Sequence, residues 1–411
     1  MDQLLRSHAD QIIKASITAV LPDEAVKRAL EGQNFPGRVL LVSAGKAAWQ
    51  MAKAAHDFWG DRIENGVVVT KYDHVMGPIA NFACYEAGHP VPDENSFKGT
   101  QAALDLVSGL TEQDTVLFLL SGGGSALFEK PLVPGEVLQD VTGQLLACGA
   151  DIVEINTIRK RLSAVKGGRF AQHCAPAQVF SIVLSDILGD PLDMIASGPA
   201  VPDTATKEQA LAIAKKYNLQ LPDDTWQLLE QETPKSLTNV TTQINGSVKE
   251  LCVAAAAACR ELGYEPIMLT DQLCCQAKEA GSFLASVLKT HAGISGKKLA
   301  FLAGGETVVQ LTGKGKGGRN QELALAAAVG IAGIPGAAVF SVGSDGTDGP
   351  TDAAGGYVDY TTAGELTAQG IEIFDVLKQN DAFHALEKVG GLVYTGPTGT
   401  NVNDVAIALL G

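Results

Sequence analysis

The feature that most constrains this chain is a unit that recurs along it. A short apolar run is followed by a turn rich in Gly, Ser or Asp, and then by a stretch with helical spacing. "RVLLVSAG" leads into "KAAWQMAKAAHDF", and the same form returns in "TVLFLLSGGGS", "VFSIVLSD", "EPIMLTD", "LAFLAGGE" and "AAVFSVGSDG". Apolar runs without polar alternation, separated by helices, predict strands buried on both faces of a mainly parallel sheet. The expected class is α/β, with mainly parallel sheets flanked by helices. Ligands of such sheets bind outside the carboxyl ends of the strands, so these turns are where chemistry is expected.

Length sets the number of cores. The chain has 411 residues, and roughly one domain per 100 to 200 residues predicts two or three. The stretch 199–246 is rich in Pro, Thr and charge, which places a boundary near residues 235 to 245 and divides the chain into 1–240 and 241–411. A net charge of −15 argues against nucleic acid or an anionic membrane as partner. The N-terminus reads as an amphipathic helix rather than a signal peptide. Residues 323–343 carry no charge, but Gly333, Pro335 and Gly336 cut them, which predicts a buried helix, a turn and a buried strand instead of a membrane span. Seven cysteines without CxxC or zinc-like spacing fit reduced thiols in a cytoplasmic protein.

Six strand-end or helix-end segments carry candidate chemistry. In "SGGGSA", Ser121, Gly122, Gly123, Gly124 and Ser125 offer a run of backbone N–H groups, which suits either an anion nest or a tight turn. In "GGETVVQLTGKGKGGRNQE", Glu306 stands at a turn, Lys314, Lys316 and Arg319 follow on a loop, and a helix opens at Asn320 to Glu322; such a helix start with an arginine suits a phosphate. In "INTIRKRLSAVKGG", Arg159 and Lys166 lie seven residues apart on one helical face, either facing an anion or solvated. Lys46 sits where a strand passes into a helix, though without the GxxxxGK[ST] of a P-loop. The acidic turns "SDILGDPLD" (Asp186, Asp190, Asp193) and "SDGTDGPTD" (Asp345, Asp348, Asp352) lack the ligand spacing of a calcium loop, and fit magnesium shared with phosphates better. Glycine nests, cations and strand-end aspartates together make up the inventory of a phosphotransferase.

Five segments in register, "INTIRKRLSAVKGG", "VLSDILGDPLDMIASGP", "GGETVVQLTGKGKGGRNQE", "SDGTDGPTDAAGG" and "GPTGTNVND", resemble the glycerate 2-kinase family, TtuD-like, whose C-terminal half is called the MOFRL domain. The resemblance runs from about Ser43 to Asp404. It implies a two-domain cytoplasmic enzyme with its active site in the interdomain cleft, which phosphorylates D-glycerate to 2-phosphoglycerate with ATP and Mg²⁺. It also implies catalytic roles for Lys46 and Arg319. From chemistry we add Asp186 or Asp190 as base or metal ligand, Asp345 and Glu306 as metal or hydroxyl partners, and Ser121 to Ser125, Arg159, Lys166, Asn320 and Glu322 as substrate or phosphate contacts. A monomer or homodimer is expected. The third basic position of "RKR" is often His in the family and is Arg161 here. The family also carries the label hydroxypyruvate reductase, an NAD(P)H-dependent alternative; against it, Leu127 stands where a GxGxxG fingerprint needs its third glycine.

Overall fold

The structure, a computed structural model, describes residues 1–293 and 296–411. It contains two six-stranded sheets. The first holds β1 (Val39–Ala44), β2 (Ile63–Lys71), β3 (Phe82–Ala87), β4 (Thr115–Leu120), β5 (Gln178–Leu184) and β6 (Val240–Gly246). The second holds β7 (Glu265–Leu273), β8 (Leu299–Gly305), β9 (Ala337–Gly343), β10 (Gly355–Asp359), β11 (Leu392–Val393) and β12 (Asp404–Leu410). The α/β class read from the apolar runs holds.

The first sheet is ordered β3-β2-β1-β4-β5-β6, and β1 to β5 pair in parallel. This is the doubly wound order in which the direction of winding reverses between β1 and β4 and leaves a crevice at their carboxyl ends. One face of the sheet buries Leu41, Leu117, Leu119 and Ile182 under the helix Ala48–Trp59. On the other, Phe118, Phe128 and Phe170 stack with centroids 4.7 to 5.6 Å apart.

The second sheet is ordered β11-β10-β9-β12-β8-β7. Only the β7–β8 pairing is parallel; β8–β12, β12–β9, β9–β10 and β10–β11 are antiparallel. The expectation of a mainly parallel sheet is corrected here. The reason lies in what an unbroken apolar run reports. Along β12, Ala406, Ala408 and Leu410 pack toward one core, and Val405, Ile407 and Leu409 toward the other. The run records burial on both faces, which neighbouring strands of either direction satisfy.

The chain forms two compact units. One comprises Ala25–Ser185 and Asp190–Asn245; the other comprises Met1–Glu24, Asp186–Gly189 and Gly246–Gly411. The passage at Asn245 to Gly246 lies close to the linker-like stretch, but the first 24 residues and Asp186–Gly189 group with the C-terminal half. The N-terminal helix Gln3–Ala19 explains the first exception, because Leu5, Ala9, Ile12, Ile13 and Ile17 bury against Leu251, Ala255 and the second sheet. Residues 323–343 form the end of helix Arg319–Ile331, a turn, and β9. No helix among the described residues is long and apolar enough to cross a membrane.

Candidate active site

In the unit that carries the first sheet, the turns after β1 and β4 meet at the switch point. The Lys46 N–H donates to the Gly122 carbonyl (2.9 Å), and the Ala47 N–H donates to Ser121 Oγ (3.1 Å). The approach requires glycine at 45: its φ is +125°, and a Cβ there would lie 2.2 Å from Ser121 Oγ. Gly123, with φ +83°, passes between two side chains, and a Cβ on it would sit 3.1 Å from both Lys46 Cγ and the His89 ring. The Lys46 side chain is half-buried, and its ammonium has no hydrogen bond or ion pair among the described residues. His89, also half-buried, is held below its usual pKa by burial and by the charges of Lys46 and Lys71, so its imidazole is neutral at pH 7.

The loop after β5 braces the same turn. Asp190, Ala196 and Ser197 all have positive φ (52°, 50° and 60°), a region that costs non-glycine residues on the order of 1 to 3 kcal/mol each. Ala196 packs where a Gly124 Cβ would be, at 2.7 Å. Ser197 Oγ lies 3.0 Å from Ser125 Oγ and donates to Asn156 Oδ1 (3.1 Å). Asp190 Oδ1 is buried without a hydrogen-bond partner among the described residues. Strain gathered on one side of a glycine turn is characteristic of a functional loop.

Arg159 and Lys166 stand behind the turn. Lys166 is fully buried, and its three N–H bonds are aimed at Glu129 (2.7 Å) and at the carbonyls of Ser125 (2.9 Å) and Phe128 (3.2 Å). Burial draws its pKa down to about 8. Arg159 donates to the Ser125 carbonyl (3.2 Å) and lies 3.8 Å from Glu129. Both grip the backbone of the 121–128 turn, and Lys166 has no proton left for a ligand. Sequence reasoning missed Glu129, which carries no local signature. The remaining basic residues of "RKR" are structural: Lys160 pairs with Asp203 (3.1 Å), and Arg161 donates to the Thr157 and Ala205 carbonyls.

The other unit gathers a second cluster at the ends of β8, β9 and β12. Arg319 forks onto Asp404 (Nε to Oδ2 2.5 Å, Nη2 to Oδ1 3.1 Å) and donates through Nη1 to Glu306 (2.8 Å). Such a bidentate pair fixes the guanidinium plane. Asp345 reaches the same place: a Cβ on Gly343 would lie 3.3 Å from Asp345 Oδ1 and 3.4 Å from Asp404 Oδ1. The helix start anticipated as a phosphate seat is already filled by a carboxyl group of the chain. Asp348 accepts from the Asn320 and Gln321 N–H groups (3.1 and 2.8 Å) and from Asn320 Nδ2 (3.3 Å). Burial pushes its carboxyl up to about 7, and burial raises Asp404 as well, against the pull of Arg319.

Asn320 and Glu322 face inward. Asn320 accepts from Ser341 (2.5 Å), and Glu322 accepts from Asn380 (3.3 Å), whose own carbonyl holds the Thr312 and Gly313 N–H groups. The loop cations diverge: Lys316 stacks on Phe383 at 4.3 Å and Lys314 is exposed. Asp186 is half-buried and belongs to this unit, whereas Asp190 belongs to the other. Asp404, 85 residues from Arg319 in sequence, is a partner of Arg319 that no local pattern revealed.

Fold and geometry thus define a two-unit α/β protein with a cationic glycine turn at the switch point of one sheet and a carboxylate-clamped arginine at the strand ends of the other. A family model described as a domain of unknown function, DUF4147, matches residues 8–230, and the MOFRL family model matches residues 299–404. The chain is 53% identical to a protein of Thermotoga maritima named D-glycerate 2-kinase, over 99% of this chain and 98% of that one. It is 40% identical to a glycerate 2-kinase of Pyrococcus horikoshii, over 97% and 96% of the two chains. A putative hydroxypyruvate reductase of Agrobacterium vitis is 37% identical over 98% and 93%. The crystal structure of a Thermotoga maritima glycerate kinase superposes with a TM-score of 0.96 over 100% of both chains. The chain belongs to the glycerate 2-kinase family.

Proposed function

We propose that this chain transfers the γ-phosphoryl group of ATP to the 2-hydroxyl of D-glycerate. The observation that carries the reading is Lys46: a half-buried residue whose ammonium has no partner among the described residues and whose Cγ packs beside Gly123 in the glycine turn at the switch point of a doubly wound sheet. Phosphoryl transfer asks little of a protein beyond positioning and charge neutralisation, and an unpaired cation over open backbone supplies both. Asp190 is the general base in this reading. Its buried oxygen lacks a donor, which a substrate hydroxyl would provide before giving up its proton. Arg319, held in plane by Asp404 and Glu306, is a second cation suited to phosphate oxygens.

The donor set also fits magnesium carried in with the nucleotide. The described residues contain no group of three or more His, Cys, Asp or Glu able to hold a metal ion, but magnesium bound by phosphates needs only one or two hard oxygen ligands. Asp345 Oδ2 and the second oxygen of Glu306 have no partner among the described residues and would serve. When bound, the ion neutralises charge on the phosphate oxygens.

The doubly wound order and the relative named as a putative reductase favour a second reading, NAD(P)H-dependent reduction of hydroxypyruvate. The turn after β1 argues against it. A dinucleotide turn needs several glycines for close approach of the pyrophosphate, whereas Gly45 is followed at once by Lys46. Phosphorus NMR of the product decides the regiochemistry: 2-phosphoglycerate is expected from D-glycerate, ATP and Mg²⁺, and 3-phosphoglycerate or no phosphoester would overturn the reading.

A further inference from the structure

Two side chains beside Glu306 have no part in phosphoryl transfer. Cys274 and Cys275 follow β7 directly, and both are exposed free thiols. Their backbone is woven into the segment that carries Glu306. The Glu306 N–H donates to the Leu273 carbonyl (2.8 Å), the Val308 N–H to the Cys275 carbonyl (2.9 Å), and the Ala277 N–H to the Val308 carbonyl (2.9 Å). Glu306 in turn holds Arg319. The path from the two thiols to the guanidinium therefore runs through three backbone hydrogen bonds and one ion pair, all within one unit.

Adjacent cysteines cannot close a disulfide on an unchanged backbone. Consecutive Cα atoms across a trans peptide are about 3.8 Å apart, shorter than the roughly 4.4 Å at which relaxed disulfides begin. Closing the ring must shift the 274–275 peptide, and the carbonyls on either side of it are the ones that hold Glu306 and Val308. The same strain makes such a disulfide easy to reduce, which is the property of a regulatory bond rather than a structural one.

We propose that Cys274–Cys275 is a redox-modification site, oxidised by a hydroperoxide to a vicinal disulfide that displaces Glu306 and loosens the Arg319 fork. Cys274 attacks the peroxide oxygen; the O–O bond breaks, giving a sulfenic acid and water (or an alcohol). Cys275, whose Sγ turns toward the Gln276 carbonyl at 3.6 Å, then attacks the Cys274 sulfur. The S–O bond breaks and a second water leaves. Two thiols lose two hydrogens and two electrons, and the peroxide is reduced by the same two electrons. A dithiol reductant reverses the reaction.

The test uses the full chain with hydrogen peroxide as probe. After blocking and non-reducing digestion, the peptide containing both cysteines should have lost two hydrogens, and dithiothreitol should restore them. Amide exchange at Glu306 and Val308 should quicken in the oxidised chain. The kcat for ADP formation should fall about 10- to 100-fold, the range expected when a catalytic group is displaced by about 1 Å. Cys274→Ser and Cys275→Ser should each abolish all three responses, whereas Cys148→Ser, at an exposed thiol elsewhere, should keep them. Over-oxidation without the two-hydrogen loss, or a disulfide that leaves exchange at 306 and 308 unchanged, would overturn the proposal. The kcat readout rests on the kinase reading, but the exchange readout does not. A reduced chain that forms no ADP would refute the kinase reading, while exchange would still decide this one.

Discussion

At the scale of the residue, the account turns on two cations in different electrostatic settings. Lys46 is unpaired among the described residues, and Arg319 is clamped by two carboxylates. If both act on charge that develops in transfer, Lys46→Ala and Arg319→Ala should lower kcat by about 10²-fold or more while raising KM far less. Steady-state kinetics with D-glycerate and ATP measure the split; loss confined to KM would assign both residues to ground-state binding. His89 provides a test by pH. Its folded pKa lies below the unfolded value of 6.5, so folding releases a proton. The stability it carries is fully present above pH 6.5 and is lost as pH falls toward the folded value. Chemical denaturation of wild type and His89→Asn between pH 5 and 8 should show a steeper acid loss in the wild type; parallel profiles would contradict the burial of a neutral imidazole.

At the scale of the element, sequence and structure agree where one segment decides the outcome and part where distant segments meet. The position of Lys46 and of Gly122 to Gly124 just after strands was legible because unbroken apolar runs mark β1 and β4, whose carboxyl-end turns they form. Asp348 was legible as a strand-end aspartate, but not as the cap of helix Arg319–Ile331, because metal ligand and helix cap draw on the same residue type in the same Asp-Gly turn. Lys166 read as an anion contact because helical spacing cannot show that Glu129, 37 residues earlier, is buried against it. These pairs also make the element-scale predictions. Asp348→Ala removes a cap from two N–H groups and should cost about 1 to 3 kcal/mol. Asp203→Ala leaves the buried Lys160 with only Asp193 at 3.6 Å and should cost about 3 kcal/mol. Urea denaturation measures both, and a loss under about 0.5 kcal/mol in either, as at an ordinary surface site, would show that the network is not where the stability lies.

At the scale of the whole molecule, the two apolar cores on either side of the second sheet explain why residues 1–24 group with the far end of the chain. The buried face of helix Gln3–Ala19 covers one of those cores. Each fully buried Leu or Ile contributes about 1.5 to 3 kcal/mol, so deletion of 1–24 should lower the stability of the C-terminal unit by several kcal/mol. A chain that melts unchanged without them would contradict that assignment. The α/β class and the turns that hold the candidate residues could be read from the sequence, but the mixed second sheet could not, since burial on both faces leaves the same apolar run whichever way the neighbouring strands point. The central claim concerns chemistry, and two assays on one preparation test it directly: ADP release with D-glycerate, ATP and Mg²⁺, and NAD(P)H oxidation with hydroxypyruvate. The account predicts ADP release without oxidation; oxidation without ADP release would contradict it.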